Sequence, residues 1–214
     1  MIGNAIAGRA TGAGVIAFAR VLTGVRGNWQ GCLPEARPRI YFANHASHGD
    51  FVLIWSVLPR AIRARTRPVA GADYWLRGRT RRFLAEKVFR AVLVDRRPEA
   101  RSDDPIAAMA APLAAGESLI LFPEGTRNTS DVPLLPFRSG LARLAEAVPS
   151  AELVPVWIDN LNRVMPKGMP VPIPLLCTVT FGAPVAPHAG EARPAFLARA
   201  REALLALAPR RETP

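Results

Sequence analysis

Two kinds of hydrophobic pattern alternate along the chain. Continuous apolar runs of up to six residues end in polar loops, which is typical of strands buried on both faces. Between them lie longer segments whose apolar residues recur every three or four positions, the period of an amphipathic helix. This alternation favours an α/β fold with a largely parallel central sheet flanked by helices. The predicted strands cover residues 38–43, 68–70, 91–95, 118–122, 153–158 and 176–181.

Capping and breaking residues mark several of the predicted helices. Asp104 is suited to cap a helix whose first residue is Pro105, and Gly116 ends that helix. Pro59 ends an earlier one. The predicted helices cover residues 13–25, 51–58, 73–90, 104–115, 139–148 and 192–207.

The helix predicted over residues 13–25 carries one apolar face, and two interpretations of it are open. It packs against its own domain, or it lies on a membrane with Arg20 and Arg26 towards the headgroups. We divide the chain into an N-terminal amphipathic, membrane-associating segment (1–30), a main domain (31–208) and a flexible tail (209–214). The apolar face consists of Val15, Phe18, Ala19, Leu22 and Val25.

Charge changes this picture because it is concentrated in one stretch. The chain has a formal net charge of +11, and residues 60–101 hold 13 basic and four acidic residues. Such a patch attracts phosphates, anionic membranes, acidic carrier proteins or nucleic acids, although a solvated basic helix has the same composition. No helix-turn-helix, zinc-finger or RNA-recognition signature accompanies it, so we expect no nucleic-acid partner.

The two cysteines, Cys32 and Cys177, form neither a disulfide framework nor a zinc motif. No apolar run reaches the ~20 residues that cross a bilayer. Gly12, Gly14 and Arg20 interrupt the N-terminal stretch. We therefore expect neither a signal peptide nor a membrane-spanning helix.

The first candidate for chemistry is the polar loop 44–50, which directly follows a predicted buried strand. Ligand sites in α/β sheets collect at the carboxyl ends of strands. His45 and Asp50 lie five residues apart, across a turn that can aim the carboxylate at one ring nitrogen and leave the other to accept a proton. This pattern indicates a general base near neutral pH. His48 is an alternative base, and a loop histidine that only caps the next helix is the other alternative.

Further polar clusters also follow predicted strands or precede a helix. The turn 122–127 exposes Glu124, Thr126 and Arg127 together, and an arginine is suited to bidentate binding of phosphate. Taken alone, each such charge is more often solvated than a ligand. The other candidates are Arg96 and Arg97 after strand 91–95, and Arg138 before helix 139–148.

The order of these clusters resembles the glycerolipid acyltransferase family, the group that includes bacterial 1-acylglycerol-3-phosphate acyltransferase. The first block of that family, His-x4-Asp, is residues 45–50, and the third, Phe-Pro-Glu-Gly-Thr-Arg, is matched in full by residues 122–127. Residues 91–97 match the second block loosely, and residues 154–156 match the fourth. The resemblance spans more than half of the chain.

The resemblance implies a glycerol-3-phosphate acyltransferase-like fold and an O-acyltransferase with His45 and Asp50 as its catalytic dyad. His45 would remove the proton from the acceptor hydroxyl, which would attack a fatty-acyl thioester of CoA or acyl carrier protein. The implied acceptor is 1-acyl-sn-glycerol-3-phosphate, the product is phosphatidic acid, and neither metal nor cofactor is expected. Arg138 stands where many relatives have lysine. The residues implied to contact the acceptor are Arg96, Glu124, Gly125, Thr126, Arg127 and Arg138.

A lysophospholipid acceptor resides in a membrane, which gives the basic patch a physical role. Each Lys or Arg near an anionic leaflet contributes about 1 kcal/mol of attraction. We therefore expect peripheral association with the cytoplasmic face of the inner membrane.

Three alternatives remain open. The same chemistry can act on another lysophospholipid, an ornithine-type lipid or a small alcohol, because the motifs report the reaction class better than the acceptor. A nucleic-acid- or membrane-binding module without catalysis would use the basic patch, but it would leave four blocks at strand ends unexplained. A scaffold that has lost activity would have no need of the intact pair of His45 and Asp50.

Overall fold

The computed structural model describes residues 2–47, 49–95, 104–159 and 176–209. Within these residues, seven strands form one sheet in the order β1-β7-β6-β2-β5-β3-β4. Neighbouring strands are parallel except β6 and β7, so β2 to β6 share one direction and β1 and β7 run the other way. The strands are β1 (Arg26–Trp29), β2 (Arg39–Ala43), β3 (Thr66–Gly71), β4 (Val92–Val94), β5 (Ser118–Leu121), β6 (Glu152–Asp159) and β7 (Thr178–Phe181).

Helices cover both faces of this sheet, which confirms the predicted α/β fold with a largely parallel sheet. Asp104 caps its helix as predicted, since its carboxylate accepts a hydrogen bond from the backbone N–H of Ile106 at 3.0 Å. The helices are α1 (Ile2–Thr23), α2 (Asp50–Val57), α3 (Arg60–Arg63), α4 (Ala72–Trp75), α5 (Arg79–Phe83), α6 (Pro105–Ala114), α7 (Gly140–Ala147) and α8 (Arg193–Leu205).

The central strand β2 separates two hydrophobic cores, because successive side chains of a strand point to opposite faces. Tyr41 and Ala43 face a core that is covered by α1, α2 and α3. Ile40 and Phe42 face the other core, which is covered by α6, α7 and α8. Residues 39–43 of β2 are buried throughout, as the continuous apolar run predicted.

The prediction of one continuous helix over residues 73–90 is wrong. The chain forms α4, an exposed turn, and α5, which continues into a π-helical turn (Leu84–Val88). Gly78 lies in the turn with a φ of 90°, a conformation that glycine adopts without strain. One part of the segment packs inward and the other faces solvent: Trp75 contacts the rings of Phe51 and Phe89, whereas the arginines of α5 are exposed.

The N-terminal helix α1 begins at residue 2, earlier than predicted, and packs against α2 and the π-helical turn. Small residues allow α1 to come close to these elements: a Cβ at Gly12 would lie 3.3 Å from the Trp55 ring. Ala19 is buried, but Phe18 and Val21 are 67% and 86% exposed. Of the predicted apolar face, Val15, Ala19 and Val25 pack against the domain, whereas Phe18 points outward.

The strand β1 was not predicted, because its four residues lack an apolar pattern. It lies within the segment 1–30 and nevertheless pairs with β7, and Trp29 stacks on Phe181 with a centroid distance of 3.9 Å. Among the helices of the described residues, none is both long and apolar enough to cross a bilayer.

A buried ion pair joins β2 to β6 at the amino ends of the parallel strands. Arg39 is 2% exposed, and its Nε lies 2.8 Å from Oε2 of Glu152. Arg39 also donates to the carbonyl oxygen of Leu33 at 2.6 Å. Because an uncompensated buried charge is costly, this edge of the sheet depends on Glu152.

We expect Glu152→Ala to lower the free energy of unfolding by about 3 kcal/mol, since it leaves the Arg39 guanidinium buried without its main partner. Glu35→Ala is the matched control, because the Glu35 side chain is 43% exposed and lies 3.7 Å from the same guanidinium. That control should cost less than about 1 kcal/mol. Urea unfolding measures both, and equal losses would contradict the assignment.

Candidate active site

The polar loops predicted for chemistry meet at the carboxyl ends of the parallel strands. The loops after β2 and β5 line one cavity of about 430 Å³, a volume within the usual range for ligand sites. His45, Gly125, Thr126, Arg127 and Arg138 are in its wall. Of the other predicted site residues, Asp50 and Glu124 lie behind the wall.

Asp50 fixes the ring of His45. Its Oδ2 lies 2.8 Å from Nδ1 of His45 and also accepts hydrogen bonds from the backbone N–H groups of Ala46 and Ser47, at 2.7 and 2.9 Å. Asp50 is 1% exposed and begins α2. An acceptor at Nδ1 holds the neutral imidazole as the Nδ1–H tautomer, so that Nε2 is free to accept a proton. His48, the alternative base, lies outside the described residues.

The ring and backbone of His45 are also held on their other sides. The ring stacks on Phe122, with centroids 4.2 Å apart. The His45 N–H donates to Oε1 of Glu124 at 2.7 Å, and the His45 carbonyl accepts from the N–H of Asn128 at 2.6 Å. His45 is therefore held through both its ring and its backbone.

Asn44 is a structural residue that sequence reasoning left without a role. Its Nδ2 donates to the carbonyl oxygen of Ile158 at 3.0 Å, and its Oδ1 accepts from the Ile158 N–H at 2.8 Å. These two bonds continue the pairing of β2 with β6 by one side chain, immediately before His45. A polar residue at the end of an otherwise apolar strand was the available signal.

Glu124 is placed differently from the other residues of its motif. It is 2% exposed, and its two oxygens accept the N–H groups of His45 and Leu135, at 2.7 and 2.9 Å. Burial raises the pKa of this carboxyl above its usual value, and the two amide hydrogen bonds oppose that rise. The carboxylate of Glu124 thus accepts hydrogen bonds from the backbone, whereas the family resemblance implied that it contacts the acceptor.

Arg127 and Arg138 supply positive charge to the cavity. Both are exposed, and neither forms an ion pair or a side-chain hydrogen bond with another described residue. Two such guanidiniums beside an oriented histidine are suited to hold an anionic group near a proton acceptor. Arg96 lies outside the described residues, and its predicted contact with the acceptor remains a prediction.

Gly125 is required by the close approach of Arg138. It has a φ of 69°, and a Cβ at this position would lie 2.6 Å from Cδ of Arg138. The Arg138 N–H donates to the carbonyl of Pro123 at 2.8 Å, which fixes this approach. Thr126 is exposed at the cavity wall.

Most of the remaining wall is apolar, although Asp73, Tyr74 and Asp95 also line it, and sequence reasoning missed the apolar part. Aromatic residues come from α2 and α4, and aliphatic ones come from β3, β4, β5 and α6. No local pattern marks them, because they converge from elements far apart in sequence. They include Phe51, Val69, Trp75, Val94, Met109 and Leu121.

The described part of the chain contains no group of three or more His, Cys, Asp and Glu side chains that could hold a metal ion. The site brings an acid-oriented histidine together with two arginines and a set of apolar side chains in one cavity wall, which Asp73 and Asp95 also line. That combination fits transfer of a hydrophobic group to an anionic acceptor.

Comparison with known proteins agrees with the chemistry that this site fits. The family model described as Acyltransferase matches residues 28–159, more than half of the chain. The chain belongs to this family, as the motifs predicted.

Two individual proteins are similar to the chain. "Taffazin" from Dictyostelium discoideum is 32% identical over 150 residues, which are 64% of this chain and 50% of that protein. The chain thus spans about half the length of this curated relative. The crystal structure of PlsC, the 1-acyl-sn-glycerophosphate (LPA) acyltransferase from Thermotoga maritima, superposes with a TM-score of 0.69 at 19% identity. That match covers 92% of this chain and 77% of the other, and it shows a shared fold.

We expect Gly125→Ala to raise the Michaelis constant for the acyl acceptor several-fold, because the new Cβ displaces the Arg138 side chain. The left-handed backbone should also cost about 1–2 kcal/mol of unfolding free energy. Initial-rate kinetics and thermal unfolding measure the two effects.

Gly140→Ala is the control for Gly125→Ala. Gly140 begins α7, and a Cβ at this position meets nothing within 4 Å. The control should leave the acceptor Michaelis constant unchanged. Equal kinetics of the two variants would contradict the role assigned to the close approach.

Proposed function

We propose that the protein transfers a fatty-acyl group from a thioester to the free hydroxyl of a lysophospholipid. The observation that carries this proposal is the pairing of His45 Nδ1 with Asp50 at 2.8 Å, in the wall of a cavity that also presents Arg127 and Arg138. The finer proposal is that 1-acyl-sn-glycerol-3-phosphate is the acceptor and phosphatidic acid the product.

The dyad acts as general base and then as general acid. Nε2 of His45 takes the hydroxyl proton while the acceptor oxygen forms a bond to the thioester carbonyl carbon. Asp50 keeps the ring in the required tautomer and stabilises the imidazolium. The carbon–sulfur bond then breaks, and the leaving sulfur takes the proton back from Nε2, so His45 returns to its initial state.

The two arginines support a phosphate-bearing acceptor. Arg127 and Arg138 line the same cavity as His45 and have no acidic partner among the described residues. A phosphate bound by them would be held beside the base, and positioning of this kind lowers the barrier of a two-substrate reaction. Thr126 is exposed beside Arg127 and can add a hydroxyl contact.

The apolar wall supports a fatty-acyl group on the donor. Val69, Val94, Met109 and Leu121 line the cavity, and burial of methylenes against them contributes roughly 0.8 kcal/mol each. The donor proposed is acyl-CoA or acyl carrier protein, as a co-substrate. The reaction proposed needs no metal and no bound cofactor, because the dyad supplies the proton transfers.

A second candidate differs only in the acceptor. Because the curated relative and the structural neighbour carry different names, another lysophospholipid is the alternative to lysophosphatidate. Arginine binds the phosphate of a diester as well as that of a monoester, so both acceptors fit the same wall. An ornithine-type lipid or a small alcohol would leave the two arginines without a phosphate to bind.

We further propose peripheral docking on an anionic membrane surface through α1. Its exposed side carries Phe18 and Val21 beside the small residues Gly14 and Ala17, an apolar stripe that faces no other described element. Burying such a stripe among headgroups and acyl chains is favourable. The proposed location is the cytoplasmic face of the inner membrane.

The basic turn and helix 76–82 are connected to α1 through the π-helical turn, which continues α5 and packs against α1. Arg77, Arg79 and Arg81 are exposed and have no acidic partner among the described residues, whereas Arg82 pairs with Glu86. Each exposed arginine near an anionic leaflet contributes about 1 kcal/mol. We propose this membrane role for the patch, and no nucleic-acid partner.

We expect His45→Ala to reduce acyl transfer by at least about 10³-fold, because the variant loses the base. The purified protein is mixed with vesicles that contain lysophosphatidate, lysophosphatidylglycerol or lysophosphatidylcholine, and with acyl-CoA or acyl carrier protein thioester. Mass spectrometry detects the acylated lipid. Lysophosphatidate should give the fastest reaction.

His188→Ala is the control for this assay, since His188 is exposed and does not line the cavity. It should retain full activity. A His45→Ala enzyme as active as the wild type would falsify the proposed mechanism. A faster reaction with lysophosphatidylcholine or lysophosphatidylglycerol would replace the acceptor and keep the mechanism.

We expect the double variant Phe18→Gln, Val21→Gln to bind anionic vesicles on the order of tenfold more weakly, because it removes two exposed apolar side chains from α1. Leu33→Gln is the control, as Leu33 is 69% exposed beside the amino end of β2. Sedimentation with vesicles measures binding. Equal weakening by both changes would rule out a specific role for α1.

A further inference from the structure

Glu124 belongs to the motif predicted to contact the acceptor, yet it lies behind the cavity. Its neighbours Gly125, Thr126 and Arg127 are in the cavity wall, whereas Glu124 is 2% exposed and is not part of that wall. A carboxylate in this position would also repel an acceptor phosphate. Its buried charge therefore needs another explanation than binding the acceptor.

The two oxygens of Glu124 join two separate loops. Oε1 accepts from the backbone N–H of His45 at 2.7 Å, and Oε2 accepts from the backbone N–H of Leu135 at 2.9 Å. The first loop carries the base. The second loop carries Arg138, three residues after Leu135.

Two backbone hydrogen bonds complete this connection. The N–H of Asn128 donates to the carbonyl of His45 at 2.6 Å, and the N–H of Arg138 donates to the carbonyl of Pro123 at 2.8 Å. The loops 44–47, 122–128 and 134–138 are thus linked to one another, with the Glu124 side chain at the centre. Each of the three loops contributes at least one residue to the cavity wall.

In this contact, both oxygens of the Glu124 side chain must act as hydrogen-bond acceptors. Two N–H groups converge on the carboxylate, and a buried N–H without a partner is unfavourable. Hydrogen bonds from two amides compensate for the burial of a negative charge. A glutamine could accept from one N–H only, because its NH₂ group would face the other donor.

We propose that Glu124 is a positioning residue that sets the distance between the base His45 and the phosphate-binding Arg138, and that it does not contact the acceptor. The inference rests on the proposed function for the meaning of that distance. Because one carboxylate spans both loops, a change at Glu124 should alter the geometry of the reaction more than the binding of the lipid.

The test compares Glu124→Gln with Arg127→Gln, in the full-length protein. Kinetics are measured with the lysophospholipid that the wild type acylates fastest and with acyl-CoA. Hydrogen–deuterium exchange is measured on peptides that cover residues 44–50 and 133–138. The exchange measurement needs no turnover, so it separates a failure of this inference from a failure of the proposed function.

We expect Glu124→Gln to lower kcat by about 10- to 100-fold, the effect of misplacing a reacting group by about 1 Å. The Michaelis constant for the lipid should change less than about twofold. Amide exchange should become faster in both peptides. Arg127→Gln should show the opposite split, with a raised Michaelis constant and unchanged exchange, because its guanidinium lines the cavity.

Three outcomes would overturn the inference: a raised Michaelis constant with unchanged kcat, unchanged exchange in both peptides, or faster exchange with unchanged kcat. Should Glu124→Gln fail to fold, Glu124→Asp takes its place. Aspartate keeps the charge and is one methylene shorter, so it cannot reach both amides. It should show the same fall in kcat at constant Michaelis constant, and an aspartate variant with wild-type kcat would contradict the inference.

Discussion

The buried carboxylate of Asp50 is the interaction on which the site depends. Three N–H groups converge on it within 2.9 Å, two from the backbone of its own loop and one from the His45 ring. The backbone donors stabilise the charge in a place that is 1% exposed, and the charge in turn fixes the tautomer of the histidine. The loop closes on itself because Asp50 begins α2, so the same residues that start a helix also orient the base.

A second buried carboxylate, Glu124, repeats this principle between loops instead of within one. Parallel strands bring the loops to one edge of the sheet. Side-chain hydrogen bonds then fix the positions of the loops relative to one another. Asn44 serves this purpose on the side of β6, and Glu124 serves it on the side of β5. The wall of the cavity between them contains both arginines and apolar side chains, the two kinds of contact that the proposed reaction would use.

The sequence predicted the features that local chemistry determines. Buried strands appear as apolar runs, and the residues after two of them, His45 and Glu124, were placed correctly at the same edge of the sheet. The direction in which a side chain points depends on contacts with residues far away in the sequence, and such directions were not predictable. Phe18 and Ala19 were predicted on one apolar face of α1, but Ala19 is buried beside Gly12 on the side of close approach, whereas Phe18 is exposed. The sequence motif shows a glutamate at position 124 whether its carboxylate faces a lipid or two amides, and only the fold distinguishes these cases.

The central claim is that Asp50 holds His45 with its proton on Nδ1 and leaves Nε2 free as the base. The ¹⁵N NMR spectrum of the imidazole rings tests it most directly, and the chain has only three histidines to resolve. For the neutral imidazole, the account predicts that the single proton of wild-type His45 lies on Nδ1 and leaves Nε2 bare, and that Asp50→Asn abolishes this preference. A wild-type His45 that carries its proton on Nε2 would contradict the account.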